Sequence, residues 1–185
     1  MLGANIFRRP FMDNPVLTAI SERRSIRSYT DQKLTKEQLD VLLKAAGEAP
    51  SARNAQPWHF SVTQNRAIID EVNAEISKAV GKELGDVFHG APAVIFLSSD
   101  PTARWARLDC GIATQTIALA AHSIGLGTVI LGYPDHAFIG PRGDYLNQLL
   151  KFPQGQAFAV AIAVGVPAGT KEAHPVEKDR IVFID

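Results

Sequence analysis

The chain carries Arg23-Arg24-Ser25-Ile26-Arg27 and, further on, Pro50-Ser51-Ala52-Arg53-Asn54-Ala55-Gln56-Pro57-Trp58. The first stretch sets three arginines and a serine within five residues. Arginine holds a phosphate through a planar fork, and hydroxyls and backbone N–H groups fill the remaining lone pairs. Arg23 and Ser25 are two apart, as are Ser25 and Arg27, so an extended segment would point all three to one side. The second stretch is a short polar loop leading into a strand. Its Asn54 and Gln56 amides suit a ring edge of alternating donors and acceptors. A phosphate at one end and a polar ring at the other point to flavin mononucleotide. Arg27 would then be a fixed cation facing the charge that develops on the reduced ring. Taken singly, each stretch has a plainer reading too. The first is also a solvated basic patch at a helix end. The second is also a polar turn formed at Asn54, with Gln56 holding it to the strand.

Composition narrows the class. With 185 residues the chain can build one domain with a sizeable core. Basic and acidic residues balance at 19 each, so no global field draws it to nucleic acid or an anionic membrane. The one cysteine, Cys110, cannot form an internal disulfide. The N-terminus lacks the apolar core of a signal peptide, and residues 1–14 read as an arm lying on a surface. The longest apolar run, residues 157–166, is too short to span a bilayer and reads as a buried strand. The expectation is a cytoplasmic protein of one domain over residues 15–185, with no nucleic-acid or membrane partner.

Helices and strands alternate along the chain. Residues 16–22 read as a short helix. Thr35 and Gln38 form a capping box ahead of an apolar face of Leu39, Leu42, Leu43 and Ala46, and Pro50 stops that helix. Residues 58–63 read as a strand, 68–80 as an amphipathic helix and 92–98 as a buried strand. Asp100 as cap and Pro101 as first residue open a long helix. From Cys110 to Ile124 that helix is apolar on nearly every side, which suggests a dimer core. Residues 128–131 and 157–166 are further strands, 145–150 a short helix, and 180–184 a final strand or extended tail. The pattern is α+β or three-layer α/β.

Much chemistry is absent. No G-x-G-x-x-G lies between a strand and a helix, since Gly125-Leu126-Gly127 has the reverse order. There is no phosphate loop, no metal-ligand spacing among the histidines and no G-x-S-x-G elbow. Metal hydrolysis and acyl transfer are not expected, and no metal site is expected. Cys110, on the apolar helix, reads as a buried structural thiol.

Four motifs in order resemble the nitroreductase family of flavin enzymes. They are Arg23-Arg24-Ser25-Ile26-Arg27-Ser28-Tyr29, then Ala49-Pro50-Ser51-Ala52-Arg53-Asn54-Ala55-Gln56-Pro57-Trp58-His59-Phe60. Phe88-His89-Gly90-Ala91-Pro92 leads a strand, and Asp109-Cys110-Gly111-Ile112-Ala113-Thr114-Gln115 runs on to Gly125-Leu126-Gly127. The strand ending Gly165-Val166-Pro167-Ala168 matches the family's last core strand.

The resemblance implies a nitroreductase-like α/β/α sandwich with a mostly antiparallel sheet, an obligate homodimer with FMN between subunits. It implies that Arg23, Arg24, Ser25 and Arg27 bind the phosphate and the pyrimidine edge. Pro50, Ser51, Arg53 and Asn54, with Gln56 a weaker candidate, would reach the flavin of the other subunit. Leu131 and Gly132 would lie along the ring, where glycine allows backbone to approach closely. Lys171 would reach the phosphate, while Ala173 stands where relatives have a second basic residue. Tyr133 and Phe138 are candidates for the substrate side of the ring, with packing an equal alternative. The implied reaction is ping-pong reduction of nitroaromatics, quinones or similar acceptors by NADH or NADPH. No catalytic side chain is implied beyond Arg27, which tunes the flavin. Reductive dehalogenation, flavin modification, or flavin binding without turnover are the alternatives.

Overall fold

The computed structural model describes residues 14–173 and 177–184. The expected arm over residues 1–14 therefore lies outside the described residues, apart from Asn14. The Asn14 side chain accepts from the N–H groups of Val16 (2.9 Å) and Leu17 (3.3 Å) and caps α1 (Pro15–Glu22). Helix α2 (Lys36–Gly47) opens on the expected capping box. The Gln38 N–H donates to Thr35 Oγ1 at 3.2 Å, and the Thr35 N–H donates to Gln38 Oε1 at 2.9 Å. Such a cap stabilises a helix by about 1 kcal/mol. Leu42 and Ala46 are buried, with Leu39 and Leu43 packed beside them. The helix ends at Gly47 with Glu48 as its C-cap, so Pro50 lies beyond the stop.

The elements that follow are β1 (His59–Thr63), α3 (Arg66–Ala79), β2 (Ala93–Ser99), α4 (Ala106–Ser123) and β3 (Gly127–Leu131). Then come α5 (Asp135–Phe138), α6 (Gly143–Leu149) and β4 (Ala157–Gly165). The strands form one sheet in the order β1-β2-β4-β3, and all three pairings are antiparallel. Side chains on β2 alternate between two apolar layers, as a strand covered on both faces must. Ala93, Ile95 and Leu97 face α2 and α4, whereas Val94 and Phe96 join the layer holding Ile69, Val72 and Ile76 of α3. Strand β4 alternates likewise, except that Ala159 and Val160 fall on one side. The cause is a bulge: Leu97 pairs with Val160 while Ser98 pairs with Phe158, which leaves Ala159 extra. The result is an α+β sandwich of helix, sheet and helix, as expected.

One expectation fails. The long helix does not open at Asp100. The Asp100 carboxylate instead accepts from the Thr102 N–H (2.8 Å) and hydroxyl (2.7 Å), residues 101–105 form turns, and α4 begins at Ala106 with no side-chain cap. Asp-Pro serves an Asx turn as readily as a helix start. Within one chain α4 is covered on one side, and the expected dimer core would have to cover the rest. Ala106, Cys110, Ala113, Ile117 and Ala121 are buried, but Leu108, Gly111 and Gln115 are exposed. Of the two readings of residues 180–184, strand or extended tail, the structure has the tail. A short 3₁₀ turn covers Lys178–Arg180, and residues 181–184 pair with no strand. Their apolar side chains stand exposed, Ile184 at 94%.

The segment carrying the arginines is laid across the sheet. Ile26 N–H donates to Thr128 O (2.8 Å), Thr30 N–H to Val166 O (2.9 Å), and Ala168 N–H to Ser28 O (2.9 Å). Ser25 bridges Thr128 in parallel and Tyr29 bridges Pro167 in antiparallel fashion. The approach is close enough to require glycine beneath. A Cβ on Gly127 would sit 2.9 Å from Ile26 Cγ1. A Cβ on Gly165 would sit 2.6 Å from Pro92 Cδ and 2.9 Å from Tyr29 Cδ1. Pro92 is rigid, so Gly165→Ala forces backbone to move. We expect it to destabilise the fold by about 1–3 kcal/mol, the usual range for overpacking. Urea denaturation measures this, and an unchanged midpoint would contradict the packing described.

Candidate functional site

Two adjoining open clefts lie where the arginine segment meets the segment that follows β4. The first, of about 240 Å³, is lined by Ser25, Ile26, Arg27, Ser28, Gly169, Thr170 and Lys171. The second, of about 410 Å³, has Arg23, Arg24, His122 and Thr128 on its wall and shares Ile26, Gly169, Thr170 and Lys171 with the first. Lys171 thus faces both. Arg23, Arg27 and Lys171 make no ion pair among the described residues. Their charge is uncompensated and available to an anion. Hydroxyls of Ser25, Ser28 and Thr170 stand beside them. This donor set suits a phosphate.

The expected alternation holds only in part. Ser25 and Arg27 share the first cleft, but Arg23 lines the second. Arg23 is the C-cap of α1, with its own N–H bonded to Ala19 O, so the end of the helix sets its direction. Arg24 is committed elsewhere. Its Nη1 donates to Ser21 O (2.6 Å) and Arg23 O (2.9 Å), closing off carbonyls at the end of α1.

Tyr29 fixes the segment from below. Its hydroxyl donates to Ile26 O at 2.7 Å. Burial pushes the phenol far above its ordinary value, while nearby Arg27 opposes this weakly, so it remains a donor. The loop carrying His89 is set by Asp86, which accepts from the N–H groups of Phe88 and Gly90 at 2.8 Å each and pairs with Arg66. Burial works against the Asp86 charge, but Arg66 and those N–H groups outweigh it and hold the carboxyl below its usual range. His89 adopts the left-handed conformation (φ 58°). Burial pushes its imidazole below the ordinary value, and Arg27 pushes the same way.

The polar loop lies apart. No residue from 50 to 56 lines either cleft. A 3₁₀ turn spans Ala52–Asn54, and Arg53, Asn54 and Gln56 have φ of 57°, 55° and 45°. The Gln56 N–H donates to Ser51 Oγ (3.0 Å), and Gln56 Nε2 donates to Asn54 Oδ1 (3.3 Å). Gln56 therefore holds the loop to itself. The loop is tied to the body by Asp109, whose Oδ1 accepts from the Ala52 N–H at 3.1 Å. Leu131 is buried at the end of β3 and Gly132 is exposed. A Cβ on Gly132 would meet no atom of the described residues within 4 Å, so its backbone is open on that side.

Of the remaining candidates, Phe138 is core. It stacks on Phe158 (4.5 Å) and Phe152 (5.7 Å), which removes it from the substrate side. Tyr133 is exposed, with His136 edge-on at 5.0 Å. Trp58 packs against the core beside Phe60. Cys110 is buried, and burial raises its thiol pKa, as for a structural cysteine. Among the described residues no group of side chains could hold a metal, and no helix is long and apolar enough to cross a membrane. Reading the sequence missed Ser28, Thr170, His89 and the anchoring role of Asp109. Only Asp109 left a signal, as a carboxylate heading an otherwise apolar helix.

The chain belongs to the nitroreductase family, matching it over residues 20–166. A Methanothermobacter thermautotrophicus protein provisionally named NADH dehydrogenase/NAD(P)H nitroreductase is 36% identical, over 90% of this chain and 85% of its own. The FMN reductase [NAD(P)H] of Bacillus subtilis is 28% identical, over 88% and 70% respectively. The crystal structure of a nitroreductase with bound FMN from Desulfitobacterium hafniense superposes with a TM-score of 0.87 at 34% identity. It covers 94% of this chain and 100% of that one.

The shifts around Arg27 make a prediction. An imidazole whose folded pKa is depressed favours the folded state least below its unfolded value, about 6.5, where the unfolded chain binds the proton better. His89 should therefore titrate below that value by NMR and lower stability as the pH falls through this region. Arg27→Ala should raise the His89 pKa, but not to the unfolded value, because burial is the larger cause. An unmoved titration in that variant would show that Arg27 does not face His89.

Proposed function

We propose that this protein is an FMN-dependent oxidoreductase that uses NADH or NADPH to reduce nitroaromatics, quinones or similar acceptors. The observation that carries this reading is the hydroxyl-lined cleft where Ser25, Arg27 and Lys171 meet, with Arg23 beside it, in a chain of the nitroreductase family. The residues present fit FMN. Arg23, Lys171 and the Ser25 hydroxyl would hold the phosphate, with Arg24 fixing the end of α1 behind them. Arg27 would face the pyrimidine edge. Open space above Gly132 leaves its backbone free to approach the ring. When bound, FMN supplies the redox chemistry, accepting reducing equivalents from the nicotinamide and delivering them to the acceptor in a ping-pong sequence. The protein binds, orients and supplies the Arg27 charge, and the reaction demands no acid–base side chain.

The functional unit we propose is a homodimer, with residues 15–185 forming one FMN-binding domain and Pro50, Ser51, Arg53 and Asn54 reaching the partner's flavin. Unburied apolar side chains support it: Val16 (63% exposed), Leu108 (60%) and Phe183 (70%) would each be left in water by a lone chain. Reduced nicotinamide and a free buried thiol suit a cytoplasmic setting. Reductive dehalogenation is weighed down because it needs an ordered lid that grips a specific substrate, and the stretch from Asp135 to Tyr145 is a short cover for one.

Titration with FMN should quench flavin fluorescence at one equivalent per chain. Anaerobic mixing with NADH or NADPH should bleach the flavin, and a nitro compound should restore it. Bound flavin that neither nucleotide bleaches would indicate a binding protein without turnover. Arg27→Ala should lower the midpoint potential by about 30–60 mV, the equivalent of one charged hydrogen bond, and weaken binding less. Arg23→Ala should weaken FMN binding about 10- to 100-fold. An unchanged potential or undiminished retention would reject the respective role.

A further inference from the structure

The loop of residues 51–56 holds a conformation its sequence does not favour. Three non-glycine residues, Arg53, Asn54 and Gln56, occupy the left-handed region within four positions. Such residues persist only where surrounding structure dictates them. Most of the restraint is internal to the loop: Asn54 N–H to Ser51 O (3.0 Å), Ala55 N–H to Ala52 O (3.1 Å) and Gln56 N–H to Ser51 Oγ (3.0 Å). Among the described residues, one hydrogen bond ties residues 51–56 to another element, and Asp109 makes it.

Asp109 is well placed for this. It is 3% exposed, on the first turn of α4. A buried carboxylate is costly unless compensated. Here the helix N-terminus favours the charge, and the Ala52 N–H is a donor to it. The bond crosses 57 residues of sequence, so it joins the loop to the helix on which the sheet packs.

We propose that Asp109 is a positioning residue, whose carboxylate sets the shape in which residues 51–56 meet the flavin. The proposal rests on the functional reading above for what the loop meets, but not for what holds it. Two readouts separate these. The first is hydrogen exchange at the Ala52 amide and over the loop in the FMN-free protein. The second is the FMN dissociation constant.

Asp109→Ala should speed exchange at Ala52 and across residues 51–56 while leaving β2 and β4 protected, and should weaken FMN binding about tenfold, as loss of a charged hydrogen bond does. Asp109→Asn keeps an acceptor oxygen, so it should restore both to near the wild-type values. Loop exchange that Asp109→Ala leaves unaltered would overturn the anchor. A loosened loop with undiminished FMN affinity would overturn the positioning role. Loss of protection throughout β2 and β4 in both variants would mean that Asp109 serves the fold as a whole, which also overturns it. Failure of the wild-type protein to bind FMN would instead sink the functional reading, and the exchange measurement would still decide whether Asp109 holds the loop.

Discussion

The binding clefts depend on a close packing of backbone on backbone. Residues 25–30 lie on the ends of β3 and β4, held by the Ile26–Thr128, Ser28–Ala168 and Thr30–Val166 hydrogen bonds. Those bonds form only because Ile26 and Tyr29 can settle onto glycine. Each net backbone bond contributes about 1 kcal/mol, and the buried apolar contact of Ile26 and Tyr29 adds to it. The sheet is thus the foundation, and the cleft is a by-product of what rests on it. Ile26 rests on Gly127, while Ser25, Arg27 and Ser28 all line the first cleft.

Charge at the site is likewise a matter of what is left over. The chain is neutral as a whole, and many cations are paired: Lys36 with Asp40, Arg66 with Asp70 and Asp86, Lys78 with Glu75. Exposed pairs of this kind contribute little to stability. Their larger effect is to cancel field elsewhere, so that Arg23, Arg27 and Lys171 stand out. Glu22, also on the wall of the second cleft, lies 3.9 Å from His122.

Local signals are legible in the sequence and long-range ones are not. The Thr35–Gln38 cap and the buried runs of β2 and β4 announce themselves, because cap and burial patterns involve neighbours along the chain. The start of α4 was misread because Asp100 offers the same oxygen to a turn or to a helix. The bulge at Ala159 has no signature among alanines and valines. Residues 181–184 suit a strand or an extended tail, and they form the tail because among the described residues no strand edge pairs with them. The clefts were half legible. Ser25, Arg27 and Lys171, which the motifs single out, line them. The separation of Arg23 follows from where α1 ends, and the Asp109–Ala52 contact depends on tertiary packing that spacing does not encode.

The fit of Ile26 over Gly127 carries a consequence for how this chain can change over generations. Volume at one position is borrowed from the other, since a Cβ at 127 would fall 2.9 Å from Ile26. A methyl gained at 127 is tolerable only alongside a trim at 26, so the two substitutions are not additive. Drift at this spot must therefore proceed in matched steps, a limit set by packing against the sheet and separate from any limit that ligand binding sets on Arg27 next door.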